Sequence, residues 1–334
     1  MKLKNNINQS LLTIAIPTYN RSKYLDLCLR RISEEISSLS EVQRSLVRIY
    51  VSDNASSDDT VKIITHYKEI NAGEFDVDYN SENIGPDLNI AQCYDLATTP
   101  YVWIFGDDDV LLPGGLGLVL DVLSQGECDI VYANNYWFLN DFKVCPKKND
   151  SHGHVTFRSS NDFARRINVM LTFLTGIIIR TEIGQQYRAG LSSSHLVQLS
   201  WVLPLLRDGS CFVIIEDWVV AARGSNSGGY ELVEVFGDNL VKITDDILKD
   251  KLNLAKAIQN GTIVNFFPGF ILEFRKGSSQ FLDQSMIIGL EDAFGDNWRY
   301  HIFLAPMLRL PLSILNYYYV FLKVIRRLFY SILV

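Results

Sequence analysis

Three times between residues 11 and 109, an apolar, largely β-branched run stops at a cluster of polar side chains. Leu11-Leu12-Thr13-Ile14-Ala15-Ile16 ends at Pro17-Thr18-Tyr19-Asn20, Leu46 to Val51 ends at Ser52-Asp53-Asn54, and Tyr101-Val102-Trp103-Ile104-Phe105 ends at Gly106-Asp107-Asp108-Asp109. Between these runs Leu25, Leu29, Ile32, Ile36 and Leu39 recur at the spacing of an amphipathic helix. Thr60 opens a second helix with Val61, Ile64 and Tyr67 on one face, Phe75, Val77 and Tyr79 alternate as a strand, and Pro86 suits the first turn of a third helix. Strand–helix–strand units of this length predict a mostly parallel α/β sheet with flanking helices. In such sheets ligands bind at the carboxyl ends of the strands, and all three polar clusters fall there.

The rest of the chain is less regular. Asp129 to Phe138 reads as a strand, Asn140 to His154 as a polar loop, and Phe173 to Ile179 as a buried strand. A helix is expected around His195 to Leu206, one bent or two short strands over Cys211 to Ala222, and a helix over Val235 to Gln259. The boundaries expected are a globular domain over 1–230, with halves 11–125 and 126–230, a helical extension over 231–297 and a tail over 298–334. The chain has 334 residues, 48% of them hydrophobic and 21% charged, which is globular composition. Its net charge of -7 argues against a nucleic-acid partner. Cys28, Cys93, Cys128, Cys145 and Cys211 have no CxxC spacing, which argues against a zinc site and for reduced thiols. His152 and His154 have no third ligand nearby in the sequence and read as loop residues. The polar segment Met1 to Ser10 lacks the apolar core of a signal peptide, so a cytoplasmic location is expected.

The acidic run suggests a metal site. Adjacent carboxylates repel, and a divalent cation is a natural reason to cluster them. A hard cation held by one or two carboxylates keeps positions open for phosphate oxygens. The alternatives are a solvated acidic turn, or Asp109 capping the following helix. Asp53 is placed to accept the ring N–H of uracil or thymine, or else to hold its loop in an Asx-turn. Asp58 and Asp59 suit the cap of the helix at Thr60. Tyr19 either lies against a nucleoside or is an ordinary half-buried aromatic.

Four segments together, Ile16-Pro17-Thr18-Tyr19-Asn20-Arg21, Val51 to Thr60, Asn83-Ile84-Gly85-Pro86 and Trp103 to Asp109, resemble the family 2 glycosyltransferases of the GT-A fold. The resemblance implies transfer of a sugar from a nucleotide donor with inversion at the anomeric carbon, aided by Mn²⁺ or Mg²⁺. It implies nucleotide contacts from Pro17, Thr18, Tyr19 and Arg21, a base contact from Asp53, and Asn83 with Gly85 near the diphosphate. Asp107 is implied for the ribose, Asp108 for the metal, and Asp109 as a second metal carboxylate. UDP- or dTDP-sugars are favoured over CDP-sugars.

An inverting transfer needs a base for the acceptor hydroxyl. Many family members carry an Asp, often in a Glu-Asp pair, about ninety residues after the metal motif. Here Ser192 to Trp201 contains no carboxylate, and His195 is its only titratable residue. An imidazole can do the same work near neutral pH, so His195 is the candidate base, with a structural His as the alternative. Ser194-His195-Leu196 followed by Arg223-Gly224-Ser225-Asn226 further resembles the abequosyltransferase-like branch of O-antigen and capsule enzymes. That resemblance places Arg223 and Asn226 near diphosphate or acceptor; a glycine-rich surface turn is the alternative.

Five cations and no acidic residue follow Asp296, which leaves the preceding residues at -12 of the total -7. Leu310 to Leu322 is uncharged but too short to span a bilayer, which needs about 20 residues. With Lys323, Arg326 and Arg327 beyond it, the tail reads as a basic amphipathic segment on the inner leaflet of the cytoplasmic membrane, which suits the lipid-linked glycan acceptors that the family resemblance implies. A helix buried against a partner subunit in a homo-oligomer is the alternative. Two rivals to the enzyme reading are a degenerate protein that binds nucleotide or glycan without catalysis, and a nucleotidyltransferase. The second would need a glycine-rich, basic triphosphate loop, which is missing from the sequence.

Overall fold

The first apolar run forms strand β1 (Leu12–Thr18), which is buried on both faces of a sheet. Its side chains alternate with the two-residue strand period: Leu12, Ile14 and Ile16 pack on one side and Ala15 on the other. The computed structural model describes residues 10–71, 73–126, 128–145, 149–181, 191, 193–224, 231–277 and 286–334. After β1 the chain forms α1 (Ser22–Ser38), a short α2 (Glu41–Arg44), β2 (Val47–Asp53), α3 (Thr60–Ile70), β3 (Phe75–Tyr79), α4 (Pro86–Asp95) and β4 (Tyr101–Ile104). β1 lies between β2 and β4, and β3 lies outside β2, all parallel. The register sets Thr18 opposite Asp53, so the polar ends of these two strands are level. α1 buries Leu25, Leu29, Ile32 and Ile36, as their spacing predicts.

Beyond β4 the sheet is no longer parallel. The chain continues through β5 (Val110–Leu111), α5 (Gly115–Leu123), β6 (Ile130–Phe138), β7 (His154–Phe157), α6 (Ser160–Ile167), β8 (Ile177–Arg180), α7 (Leu199–Asp208) and β9 (Phe212–Arg223). The strand order is β3-β2-β1-β4-β8-β6-β9-β5, with β7 also paired to β9. β8 is antiparallel to both neighbours, as are β5 and β7 to β9, so the sheet is mixed rather than mostly parallel. β9 is one long bent strand. Its ladder with β6 slips between Ala133 opposite Ile215 and Asn135 opposite Val220, and a bulge of this kind bends a strand. The bend lets its first half pair with β7 and its second half with β5.

Two expected elements begin elsewhere. Residues Leu174–Gly176 form a 3₁₀ turn before β8. Helix α7 starts at Leu199, four residues after His195, because Ser193 and His195 both have positive φ (73° and 57°) and cannot belong to a right-handed helix. The helix expected over Val235 to Gln259 is also divided. A π-helical turn (Glu234–Asn239) leads into α8 (Leu240–Ile247), and α9 (Leu252–Gly261) follows after a break at Leu248–Lys251. A second π-helical turn (Thr262–Phe266) precedes α10 (Phe267–Arg275), whose second residue, Pro268, has no N–H to donate.

α11 (Met286–Phe294), α12 (Trp298–Phe303), α13 (Ala305–Arg309) and α14 (Leu312–Leu333) complete the chain. One sheet face is covered by α1, α3 and α5, and the other by α4, α6, α7 and the C-terminal helices. The tail shares that second core: Tyr300, Phe303, Leu304, Met307, Leu315, Leu322 and Leu333 are buried in it. Arg275 donates to the carbonyls of Met307 (3.0 Å) and Leu310 (2.9 Å), and Arg299 donates to that of Ile332 (2.8 Å). Residues 298–334 are therefore packed structure and not a detachable tail. α14 keeps Leu315, Leu322 and Leu333 in this core and leaves most of its other side chains exposed. Among the described residues, no helix is long and apolar enough to cross a membrane.

Candidate functional site

The carboxyl ends of β1 and β4 open into a cavity of about 570 Å³. Its polar wall contains Pro17, Thr18, Tyr19, Arg21, Asn83, Arg223 and all three residues of the acidic run. His195 lines it as well, beside Leu196 and Gln198. The remaining wall is apolar, with Trp137, Met170, Phe173, Phe236, Phe266 and Phe270. The two π-helical turns supply Phe236 and Phe266 to this wall, whose rings lie 4.5 Å apart.

Each carboxylate of the acidic run has its own setting. Asp107 is buried; its Oδ2 accepts from the Thr18 hydroxyl at 2.7 Å and its Oδ1 from Arg21 at 3.0 Å. Asp109 is buried too; its Oδ2 accepts from the Thr175 hydroxyl and its Oδ1 from the main-chain N–H of Arg223 at 2.9 Å. Asp108 is the most open, its side chain 16% exposed against 5% for Asp107, with Oδ2 3.6 Å from Arg21. Burial pushes the Asp107 carboxyl above the ordinary carboxylate range, the Arg21 charge working against the shift and Asp108 with it. Burial, followed by the charge of Asp108, pushes the Asp109 carboxyl up as well, against the hydrogen bond from Thr175. Burial works against the Arg21 guanidinium, but Asp107 and Asp108 outweigh it and raise its pKa.

Asp109 does not cap the next helix, which begins at Gly115 behind Gly114. It ties the acidic run to the end of β9 instead. The Arg223 side chain then lies 4.9 Å from the Tyr24 ring and 4.6 Å from the Phe138 ring, with Nε 3.4 Å from the Asp108 carbonyl. Thr175 gave no sequence signal. Its hydroxyl accepts the Gly106 N–H at 2.9 Å while donating to Asp109, so one side chain satisfies two groups of the run. Replacing Thr175 with Val is expected to lower stability by about 1–3 kcal/mol, since both groups lose their partner. A urea melt checks this, and an unchanged midpoint would refute the linkage.

The Asn83–Pro86 segment is held by Asn54, which was not singled out in the sequence. Its amide donates to Asn83 Oδ1 at 2.7 Å and its carbonyl oxygen accepts the Ile84 N–H at 2.9 Å. Gly85, at φ 86°, turns the chain into α4 but does not line the cavity. Asp53 does not line it either; it is buried, and its Oδ1 accepts the Ser56 N–H at 3.3 Å. Asp58, not Asp59, caps α3, accepting from the Thr60 N–H at 3.0 Å while its other oxygen takes the Ser22 N–H. Asn226 lies outside the described residues.

Among the described residues, no three His, Cys, Asp or Glu side chains converge as a complete metal cage. The donor set fits a different arrangement, in which a hard cation takes one or two carboxylates and draws further oxygens from substrate phosphates and water. The space around the run is also tight. A Cβ on Gly106 would stand 3.0 Å from an Asp109 carboxylate oxygen and 3.2 Å from one of Asp108.

A family model described as glycosyl transferase family 2 matches residues 13–188, more than half of the chain. Abequosyltransferase RfbV of Salmonella typhimurium is 25% identical over 274 residues, covering 75% of this chain and 79% of that protein. Among solved structures, S. aureus TarS 1-349 superposes with a TM-score of 0.62 at 15% identity, covering 96% of this chain and 91% of that one. The same TarS fragment in complex with UDP-GlcNAc gives 0.61 at 14% identity. The mannosyltransferase PcManGT from Pyrobaculum calidifontis, in complex with GDP-Man and Mn²⁺, gives 0.52 at 14% identity, covering 96% and 87%.

Proposed function

The chain belongs to glycosyl transferase family 2, and from that premise we propose that it moves a sugar from a nucleotide-sugar donor to a hydroxyl of a lipid-linked glycan, with inversion. The relationship to an abequosyltransferase points to surface polysaccharide such as O-antigen or capsule. The observation that carries the reading is the joining of Thr18, Arg21 and the acidic run in one cavity that also contains His195.

In this reading the nucleotide lies along Pro17 to Arg21, with the ribose near Asp107 and the base toward Asp53. Asn83 and Arg223 face the diphosphate. Asp108 holds Mn²⁺ or Mg²⁺, which would neutralise charge on the departing diphosphate. Arg21, beside both Asp107 and Asp108, keeps the run from repelling the donor before the cation arrives. His195 takes the acceptor proton as the new C–O bond forms, and the nucleoside diphosphate leaves with the electron pair of the broken bond.

A panel of UDP-, dTDP-, CDP- and GDP-sugars with and without Mn²⁺ tests this. Metal-dependent release of one nucleoside diphosphate is expected. Binding of a nucleotide without turnover of any donor, even with lipid-linked acceptors supplied, would leave a binding protein instead.

The exposed face of α14 supports a peripheral membrane location. Tyr317, Val320, Phe321, Val324 and Leu328 form one exposed stripe ahead of a kink at Phe329, with Tyr317 78% exposed, and Lys323 and Arg327 flank it. This arrangement suits an interfacial helix on an anionic surface. Because the opposite face of α14 is core, the stripe should be altered by substitution and not by deletion. Changing Tyr317, Val324 and Leu328 to Ser is expected to reduce binding to phosphatidylglycerol vesicles at least tenfold, each large apolar side chain contributing roughly 1.5–3 kcal/mol when fully buried. Undiminished vesicle binding at an unchanged melting temperature would exclude the stripe.

A further inference from the structure

The acceptor end of the cavity is backed by a carboxylate that none of the motifs announces. Asp87 stands in the first turn of α4, directly after Gly85-Pro86, and is 3% exposed. Its Oδ2 accepts the main-chain N–H of His195 at 2.9 Å. That N–H belongs to a residue at φ 57°, a conformation L residues seldom adopt and one that needs an outside partner to hold it. The other oxygen, Oδ1, is buried and has no hydrogen-bond partner among the described residues.

An acidic residue near a helix N-terminus is ordinary, because the helix dipole favours its charge. The dipole explains why a carboxylate is tolerated here. It does not explain why the carboxylate reaches across to the turn carrying His195, or why one oxygen is left unmet, which is costly in a buried site. Both features are accounted for if a positive charge arises during turnover on the side chain of His195, the residue whose main chain Asp87 already holds. Proton transfer from the acceptor hydroxyl to His195 makes such a charge: the proton moves to the imidazole as the oxygen forms its bond to the sugar.

We infer that Asp87 is a positioning residue for His195, holding its turn at the cavity wall and balancing the charge the imidazole gains. The inference rests on the reading of His195 as the base. It also gives the Asn83–Pro86 segment a second task, since the helix it starts carries Asp87 under the acceptor side.

A double-mutant cycle tests it. kcat and donor KM are measured for wild type, Asp87→Asn, His195→Ala and the double variant, with the nucleotide sugar that turns over fastest in the panel above and saturating Mn²⁺. Asn keeps an oxygen for the His195 N–H and removes the charge, so a simple tether would survive it. The expected result is a roughly ten- to hundredfold loss of kcat in Asp87→Asn, of the size found for residues that orient a reacting group, with donor KM unchanged. Asp87→Glu should keep more of kcat than Asp87→Asn, and in the His195→Ala background Asp87→Asn should cause no further loss. An unchanged kcat in Asp87→Asn, or an equal loss in both backgrounds, overturns the inference while leaving His195 as base. Wild-type kcat in His195→Ala overturns the base reading and the inference with it. Should the Asn variant fail to fold, Asp87→Ser carries the same outcomes through the same cycle.

Discussion

Replacing Asp108 with Asn is expected to lower turnover about a thousandfold, roughly 4 kcal/mol of transition-state stabilisation, and to abolish stimulation by Mn²⁺ or Mg²⁺. The size of the effect follows from how the acidic run is divided. Both oxygens of Asp107 are engaged by Thr18 and Arg21, and both oxygens of Asp109 by Thr175 and Arg223. Neither carboxylate can turn to replace Asp108 without breaking buried hydrogen bonds. An Asn at 108 keeps the shape of the side chain and loses only the charge, so the melting temperature should stay close to wild type. Asp109→Asn makes the contrast: it weakens two structural bonds and should lower stability by about 1–3 kcal/mol. Kinetics with and without metal, beside thermal melts of both variants, separate the roles. Metal stimulation persisting in Asp108→Asn would remove that residue from the proposal.

The second large effect is expected at His195. Changing it to Ala should lower kcat by roughly 10²–10⁴, the usual contribution of a positioned general base, while donor KM changes little. His195 lines the cavity from the turn before α7, a different part of the chain from the Thr18, Arg21 and Asp107 set that is proposed to hold the nucleotide. Loss of the base should therefore slow chemistry and spare donor binding. Steady-state kinetics with the selected donor measure the split. A matching rise in KM with constant kcat would instead make His195 a binding residue.

The strand ends that form the polar side of the cavity were legible because their signals are local. A buried strand followed at once by Thr18, by Asp53 or by Asp107 needs only the strand period and the rule that parallel strands present ligands at their carboxyl ends. The rest of the site depends on contacts between distant segments. Thr175 reaches Asp109 across 66 positions, and Asp87 reaches His195 across 108. Neither has a pattern that marks it, since Thr175 sits in an apolar run and Asp87 in an ordinary helix start. The start of α7 was misplaced for a related reason. Hydrophobic spacing continues from Leu196 into Leu199, and nothing in it reports that Ser193 and His195 adopt left-handed backbone conformations. The mixed sheet escaped notice because the run that forms β8 does not report its direction, and because β5 and β7 have two and four residues, too short for periodicity to register.

Helix α10 has one more consequence, concerning reach. Phe266, just before it, and Phe270 within it line the cavity, while Gly269 packs toward the Tyr319 hydroxyl of α14, 3.5 Å from where a Cβ would stand. A single helix layer, about 10 Å across, thus separates the apolar wall of the cavity from the helix whose outer stripe is proposed to rest on the bilayer. With an anchor that near, the accepting hydroxyl would lie only a few sugar units from its lipid carrier. Short, early-stage acceptors should then be glycosylated faster than long ones, and lengthening the glycan should slow the enzyme even when the terminal sugar is the same.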